Sequence, residues 1–196
     1  GYQVRVLDNL SPQIHGTNPK LSSPLYSSII NKVEFIHGDV TNNIDLENAI
    51  ENQDAVIHMA AETHVDNSIK DPKLFLDNNI GSTLNLLEYS RNLVNLEKFF
   101  YFSTDEVFGP ALNNTLFKEW DRHKPTNPYS ASKSAAEQIC IAYENTYKIP
   151  LIIVNVMNAF GERQHVEKFI PLCMKKLLNN EKIYIHSYPD KKTSGT

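Results

Sequence analysis

The sequence predicts an α/β fold with a doubly wound parallel sheet, and three observations carry the prediction. Short β-branched or aromatic runs recur at residues 4–7, 33–36, 55–59, 99–102, 151–156 and 183–185, the pattern of buried parallel strands. Helical patterns separate them, so strand and helix alternate along the chain. Runs of Ser, Pro, Asn and Gly mark the loops, residues 11–28 above all, which the composition predicts to be an irregular segment.

Each helix carries its own start signal. Asp71-Pro72 offers an N-cap followed by proline at the first helical position, and Leu76, Ile80, Leu84 and Leu87 then repeat at steps of four, four and three as one apolar face. Asn127-Pro128 opens a second helix the same way, with Ala135, Ala136, Ile139, Cys140 and Tyr143 on one side and a stop at Pro150. A chain of 196 residues that is 41% hydrophobic is large enough to bury a core. The boundaries expected are one incomplete sheet domain over residues 1–180 and, over 181–196, a last strand leading into a second portion.

Composition narrows the partners. The net charge of -4 is spread out, with no basic run to follow a phosphate backbone, so nucleic acid is not expected. Two cysteines, Cys140 and Cys173, lie far apart and fit reduced thiols in an intracellular, cytoplasmic setting better than a disulfide framework or a zinc site. No apolar run approaches a membrane span, and His123 and His165 have no partner at metal-ligand spacing. His58, inside a strand, reads as a packed core histidine.

The first strand ends at Asp8. In a dinucleotide-binding fold an acidic residue closing a strand meets the adenosine ribose, about 20 residues after a Gly-rich turn that holds the pyrophosphate. This sequence has the acid and no such turn. The first run is therefore expected to be the second strand of the fold, with the first strand and its Gly-rich loop absent. In the strand order 3-2-1-4-5-6 that absent strand is central. Asp8 also favours NAD over NADP, because its charge repels a ribose phosphate.

The chemistry concentrates in two segments. In Tyr129-Ser130-Ala131-Ser132-Lys133 the spacing of four sets phenol and ammonium on one helix face. The lysine can then lower the phenol's pKa from about 10 and make it a base for an alcohol proton. Ser103-Thr104-Asp105-Glu106 follows the strand at 99–102, at the end where open α/β sheets bind ligands. There a hydroxyl beside two carboxylates can hold a sugar hydroxyl, protonate a leaving group and remove a proton from carbon, or, alternatively, the acids cap a turn and face water.

Together with Leu7-Asp8-Asn9, Gly38-Asp39-Val40, Met59-Ala60-Ala61-Glu62-Thr63-His64, Asn158, Gly161, Glu167-Lys168 and Ile170-Pro171, these segments resemble the extended short-chain dehydrogenase/reductase superfamily. Within it they are most similar to the nucleoside-diphosphate-glucose 4,6-dehydratases. The resemblance implies a Rossmann-type domain that binds NAD, an enzyme acting on dTDP- or UDP-glucose, and a homodimer. It implies that Asp8, Asn9, Asp39, Val40, Ala60, Ala61, Thr63 and Ser103 contact the cofactor and that Tyr129 and Lys133 serve its nicotinamide end. Thr104, Asp105 and Glu106 would join Tyr129 and Lys133 in catalysis, and Thr63, Thr104, Asn158, Glu167 and Lys168 would bind substrate. Phe108, Ala159, Val166 and Asn67 depart from the family pattern. An epimerase or decarboxylase of the same superfamily, or a dinucleotide-binding protein without catalysis, are the competing readings.

Overall fold

The computed structural model describes residues 1–111 and 115–185. By compactness the chain divides into residues 1–157 and 158–196.

The first unit is α/β with all strands parallel. β1 (Arg5–Asp8) pairs with β2 (Glu34–His37), and β3 (Ala55–His58), β4 (Lys98–Thr104) and β5 (Leu151–Val156) form a second sheet in that order. Among the described residues β1 and β3 do not pair, and the break falls where the strand order assigns the central strand. Parallel registry brings Asp8 and His37 level at the ends of the first sheet and Thr104 and Val156 level at the end of the second. Ligand-facing loops therefore leave each sheet from one edge.

Residues 11–28 are more regular than their composition suggested. They form α1 (Pro12–His15), α2 (Pro19–Ser22) and the start of α3 (Pro24–Ile29). Each begins with proline, whose fixed φ suits the first turn and whose missing N–H would be unpaired there in any case. α4 (Asn43–Ile50) starts on Asn42, whose side chain accepts from two backbone N–H groups. α5 (Val65–Lys70) follows β3.

The long helices α6 (Pro72–Ser90) and α7 (Pro128–Tyr147) start at the predicted caps. Asp71 accepts from the Leu74 N–H at 3.2 Å, and Asn127 and Ser130 form a reciprocal capping box. α7 buries Ala136 and Cys140 as expected. In α6 the buried face is instead Phe75, Asn79, Ser82, Thr83, Leu86, Leu87 and Ser90, while Leu76 and Leu84 are exposed. Ser90 and Thr83 return their hydroxyl protons to helix carbonyls one turn back, at 2.6 and 2.7 Å, so small polar residues can face the core without an unpaired donor.

The core lies where α4, α6 and α7 meet β3 and β4: Leu46, Ile50, Val56, Leu86, Leu87, Phe99, Tyr101, Ala136 and Cys140. Truncating Leu87, which has no exposed surface, would cost about 2–5 kcal/mol in lost transfer energy and cavity formation. β3 is buried on one face only among the described residues, through Val56 and His58, with Ile57 open on the other. The expected strand at 183–185 does not form; residues 181–185 have no regular structure, and 186–196 lie outside the described residues. In the second unit α8 (Phe169–Leu178) is the principal element. Cys140 and Cys173 are both free.

Candidate active site

β4 delivers Ser103 and Thr104 to the carboxyl end of the sheet, both almost fully buried. The chain then tightens into a single 3-10 turn, Asp105–Phe108, in which the Glu106 N–H donates to Thr104 Oγ1 at 3.3 Å. Gly109 ends the turn at φ 79°, and a Cβ there would lie 2.5 Å from the Lys124 carbonyl oxygen. Only glycine fits that close approach. The turn is thereby pinned beside the segment that leads into α7, where the Lys124 N–H donates to the Val107 carbonyl at 2.8 Å.

Thr104 is the centre of the cluster. Its hydroxyl donates toward Asp105 Oδ1 at 3.3 Å, and it stands close enough to the Tyr129 phenol to favour the ionised form. Glu106 Oε2 accepts from Asn127 Nδ2 at 3.1 Å, so the residue that caps α7 also fixes a carboxylate. The structure thus brings Thr104, Asp105, Glu106 and Tyr129 together, with Lys133 one turn further along α7. Sequence reasoning singled out Asn127 as a cap and missed this second contact.

The lysine's effect differs from the expectation. Burial, followed by the charge of Glu106, holds the Tyr129 phenol above its usual pKa, and Thr104 opposes them. Lys133 Nζ stands over the Tyr101 ring, 4.4 Å from its centroid. Burial lowers the Lys133 ammonium to about 8, against the influence of Cys140 and Glu137. It is therefore a cation at neutral pH that is poised to lose its proton in mild alkali.

A buried polar network supports this end of the site. Asn79 of α6 donates to Ser132 Oγ at 2.8 Å and to the Glu62 carbonyl at 3.1 Å, and it accepts from the Glu62 N–H at 2.8 Å. Ser132 in turn donates to the Tyr129 carbonyl at 2.7 Å. One asparagine therefore ties the loop holding Ala60, Ala61 and Thr63 to the first turn of α7. His58 lies 2.9 Å from Thr83 Oγ1, and burial pushes it down to about 3, so it is a neutral core residue as the sequence suggested. Asn79 and Ser132 were not foreseen, because a buried hydrogen-bonding residue leaves no mark in hydrophobic periodicity.

The residues expected at the ribose end lie after β1 and β2. Asp8 Oδ1 accepts from the Leu10 N–H at 2.7 Å, and Asn9 Nδ2 donates to Asp39 Oδ2 at 2.9 Å. Burial pushes the Asp39 carboxyl up, but hydrogen bonds from Thr41 and Asn9 together outweigh it and leave the group below the usual carboxylate range. Gly38 is required here, since a Cβ would stand 2.7 Å from the Asp45 carboxyl carbon, and Asp45 accepts the Asp39 N–H at 2.9 Å. Val40 is half-buried beside them. Asn158, Glu167 and Lys168 belong to the second unit. There Asn158 is exposed, Glu167 lies 3.6 Å from His165, and Lys168 precedes α8.

Two features fit a dinucleotide. The Ser103 hydroxyl is buried with no hydrogen-bond partner among the described residues, a costly arrangement unless a ligand satisfies it. The Asp8 side chain remains 43% accessible at the strand end, with acceptor capacity left over.

Comparison with known proteins gives this arrangement a family. The sequence profile of the GDP-mannose 4,6 dehydratase family matches residues 1–191. The chain belongs to that family. Its resemblance to the nucleoside-diphosphate-glucose 4,6-dehydratases, extended short-chain dehydrogenases/reductases, is upheld by its relatives. The dTDP-D-glucose 4,6-dehydratase of Dictyostelium discoideum is 44% identical over 165 residues, covering 78% of this chain and 38% of that protein. The dTDP-glucose 4,6-dehydratase of Mycolicibacterium smegmatis is 35% identical over 156 residues, covering 79% and 46%. Among solved structures, the dTDP-glucose 4,6-dehydratase of Streptomyces venezuelae with NAD bound superposes with a TM-score of 0.79 at 30% identity, covering 91% of this chain and 53% of its own. The UDP-glucuronic acid 4-epimerase of Bacillus cereus with NAD superposes at 0.81 and 27%, covering 92% and 56%. The chain spans about half, or less, of the length of these relatives. Rossmann-type neighbours confirm the predicted fold class.

Proposed function

We propose that this chain carries the cofactor-binding and catalytic part of an NAD-dependent nucleoside-diphosphate-glucose 4,6-dehydratase, acting on dTDP- or UDP-glucose. The observation that carries the proposal is the Thr104 cluster, in which one hydroxyl contacts both a carboxylate and the phenol of the Tyr-Lys pair. An epimerase needs the phenol and the lysine but has no use for two acids beside them.

When bound, NAD would supply a hydride acceptor and donor, and cationic Lys133 would work against the burial that holds the Tyr129 phenol above its usual pKa. Asp8, Asn9, Asp39 and Val40 would hold the adenosine end, with Ala60, Ala61, Thr63 and Ser103 along the cleft. Tyr129 takes the carbon 4 hydroxyl proton as hydride leaves that carbon, while Thr104 orients the oxygen. The resulting ketone acidifies the carbon 5 proton, which Glu106 removes. Asp105 protonates the carbon 6 hydroxyl, which departs as water. A hydride returned to carbon 6 and the Glu106 proton returned to carbon 5 would leave a 4-keto-6-deoxy sugar nucleotide, and the proton taken by Tyr129 would replace the one given up by Asp105. Asn158, Glu167 and Lys168 are proposed substrate contacts.

Homodimer formation through α6 and α7, with Leu76 and Leu84 as exposed apolar positions, and a cytoplasmic location belong to the same reading. No helix among the described residues is long and apolar enough to cross a membrane. Mass spectrometry of reactions with dTDP-glucose and UDP-glucose, supplied separately with NAD, tests the proposal. Loss of one water supports it and identifies the preferred base. An isomer of unchanged mass would assign the chain to the epimerases.

A further inference from the structure

Glu137 is a carboxylate almost fully buried in α7, one turn beyond Lys133, and the chemistry described above does not use it. Its two oxygens reach two other segments. Oε2 accepts from Asn155 Nδ2 at 3.2 Å, and the same amide donates to the Thr104 carbonyl at 3.4 Å. Oε1 lies 3.4 Å from His123 Nε2, and His123 also contacts Ser134 Oγ at 2.9 Å and stands edge-on to Phe108. One side chain thus joins α7, the end of β4 through β5, and the segment that leads from the acidic turn into α7.

We propose that Glu137 is a positioning residue, whose carboxylate holds the Thr104 strand end through Asn155 and is the anion that keeps Lys133 charged one helical turn away. The inference rests on the roles proposed above for Tyr129 and Lys133. A buried carboxylate is costly unless its charge is matched and its oxygens are bonded, and both conditions point here to a task at the site.

Electrostatics single out Glu137 among the neighbours of Lys133. Cys140 and Glu137 on α7, Tyr101 on β4 and His58 on β3 all act on it or stand against it. Burial pushes the Cys140 thiol up to about 12 and the Tyr101 phenol higher still, and it pushes His58 down to about 3. All three are neutral at pH 7. Glu137 is therefore the one carboxylate in that set. The groove beside it adds Glu119, Asp121 and Arg122, with His123, as the other ionisable groups facing it.

The test is the pH profile of kcat in the holoenzyme. Glu137→Gln removes the charge and keeps an acceptor for Asn155, with its amide nitrogen in place of the oxygen that faces His123. With Lys133 titrating at about 8, the alkaline limb of the wild type falls near that pH, and loss of a neighbouring anion should bring it down by about one unit. We expect kcat to fall with little change in KM, and Glu137→Asp to restore most of the limb. Asn155→Leu should lower kcat without moving the limb, because it cuts the tie to Thr104 and leaves the charge. A Glu137→Gln enzyme with the wild-type limb, whether its rate is full or uniformly reduced, overturns the inference. If Tyr129→Phe and Lys133→Met turn over normally, the underlying reading fails first and takes this inference with it.

Discussion

The two ends of the proposed cofactor cleft are built differently. At the chemical end Ser103, Thr104, Lys133 and Glu137 are buried, and hydrogen bonds tie the surrounding elements together, from Asn79 of α6 to Ser132 of α7 and from Asn155 of β5 to Glu137. At the ribose end Asn9 is exposed, Asp8 is partly open, and the contacts come from residues close to the strand termini. The difference follows from the work each end does. Moving a proton needs groups with shifted pKa values, and shifting them takes burial and nearby charge. Gripping a ribose needs only accessible acceptors in the right place, which solvent does not spoil.

That contrast ranks the consequences of mutation. Tyr129→Phe should have the largest effect, lowering kcat by about 10²–10⁴-fold, the range of a positioned acid-base group. NAD titration by fluorescence should show binding preserved, and loss of binding with activity would move Tyr129 to the ribose end's kind of role. Next, Glu106→Gln should slow elimination by roughly 10²-fold while hydride removal from carbon 4 persists, visible as transient NADH absorbance in a stopped-flow trace. Full dehydration in that variant would leave the acidic turn without its proposed task.

At the other end Asp8→Asn should weaken NAD binding by about tenfold, the worth of one hydrogen bond to a charged group, and should narrow the preference over NADP. Calorimetric titration with both cofactors measures it, and an unchanged ratio would remove Asp8 from the ribose. The smallest effect expected is Asn127→Ala, which loses the α7 cap for about 1 kcal/mol of stability. The same variant frees Glu106 Oε2 from its 3.1 Å partner, so thermal melting and rate should fall together. A lower melting temperature at full rate would separate the cap from the site.

The contrast also explains what could be read from the sequence. Strand and helix alternation and the Asp71 and Asn127 caps are local signals, and each reappears where it was expected. The core face of α6 was misread because Leu76 and Leu84 look apolar in sequence while Asn79, Ser82 and Thr83 look like solvent-facing residues. The partners of Asn79 and Thr83, namely Ser132, His58 and a helix carbonyl, are distant in sequence or belong to the backbone. Residues 11–28 read as a loop because Ser, Asn and Pro mark turns, yet each proline there begins a short helix. Glu137 had a signal available, a carboxylate four residues beyond Lys133 on the same face. Only the fold shows that it is buried against Asn155.

The central claim is that hydride leaves carbon 4 and returns to carbon 6 within one sugar. Substrate deuterated at carbon 4 tests it most directly, with the product's label located by NMR. Deuterium is expected on carbon 6 of a 4-keto-6-deoxy sugar. Deuterium retained on carbon 4 of a sugar that has lost no water would contradict it and leave Asp105 and Glu106 without a catalytic role.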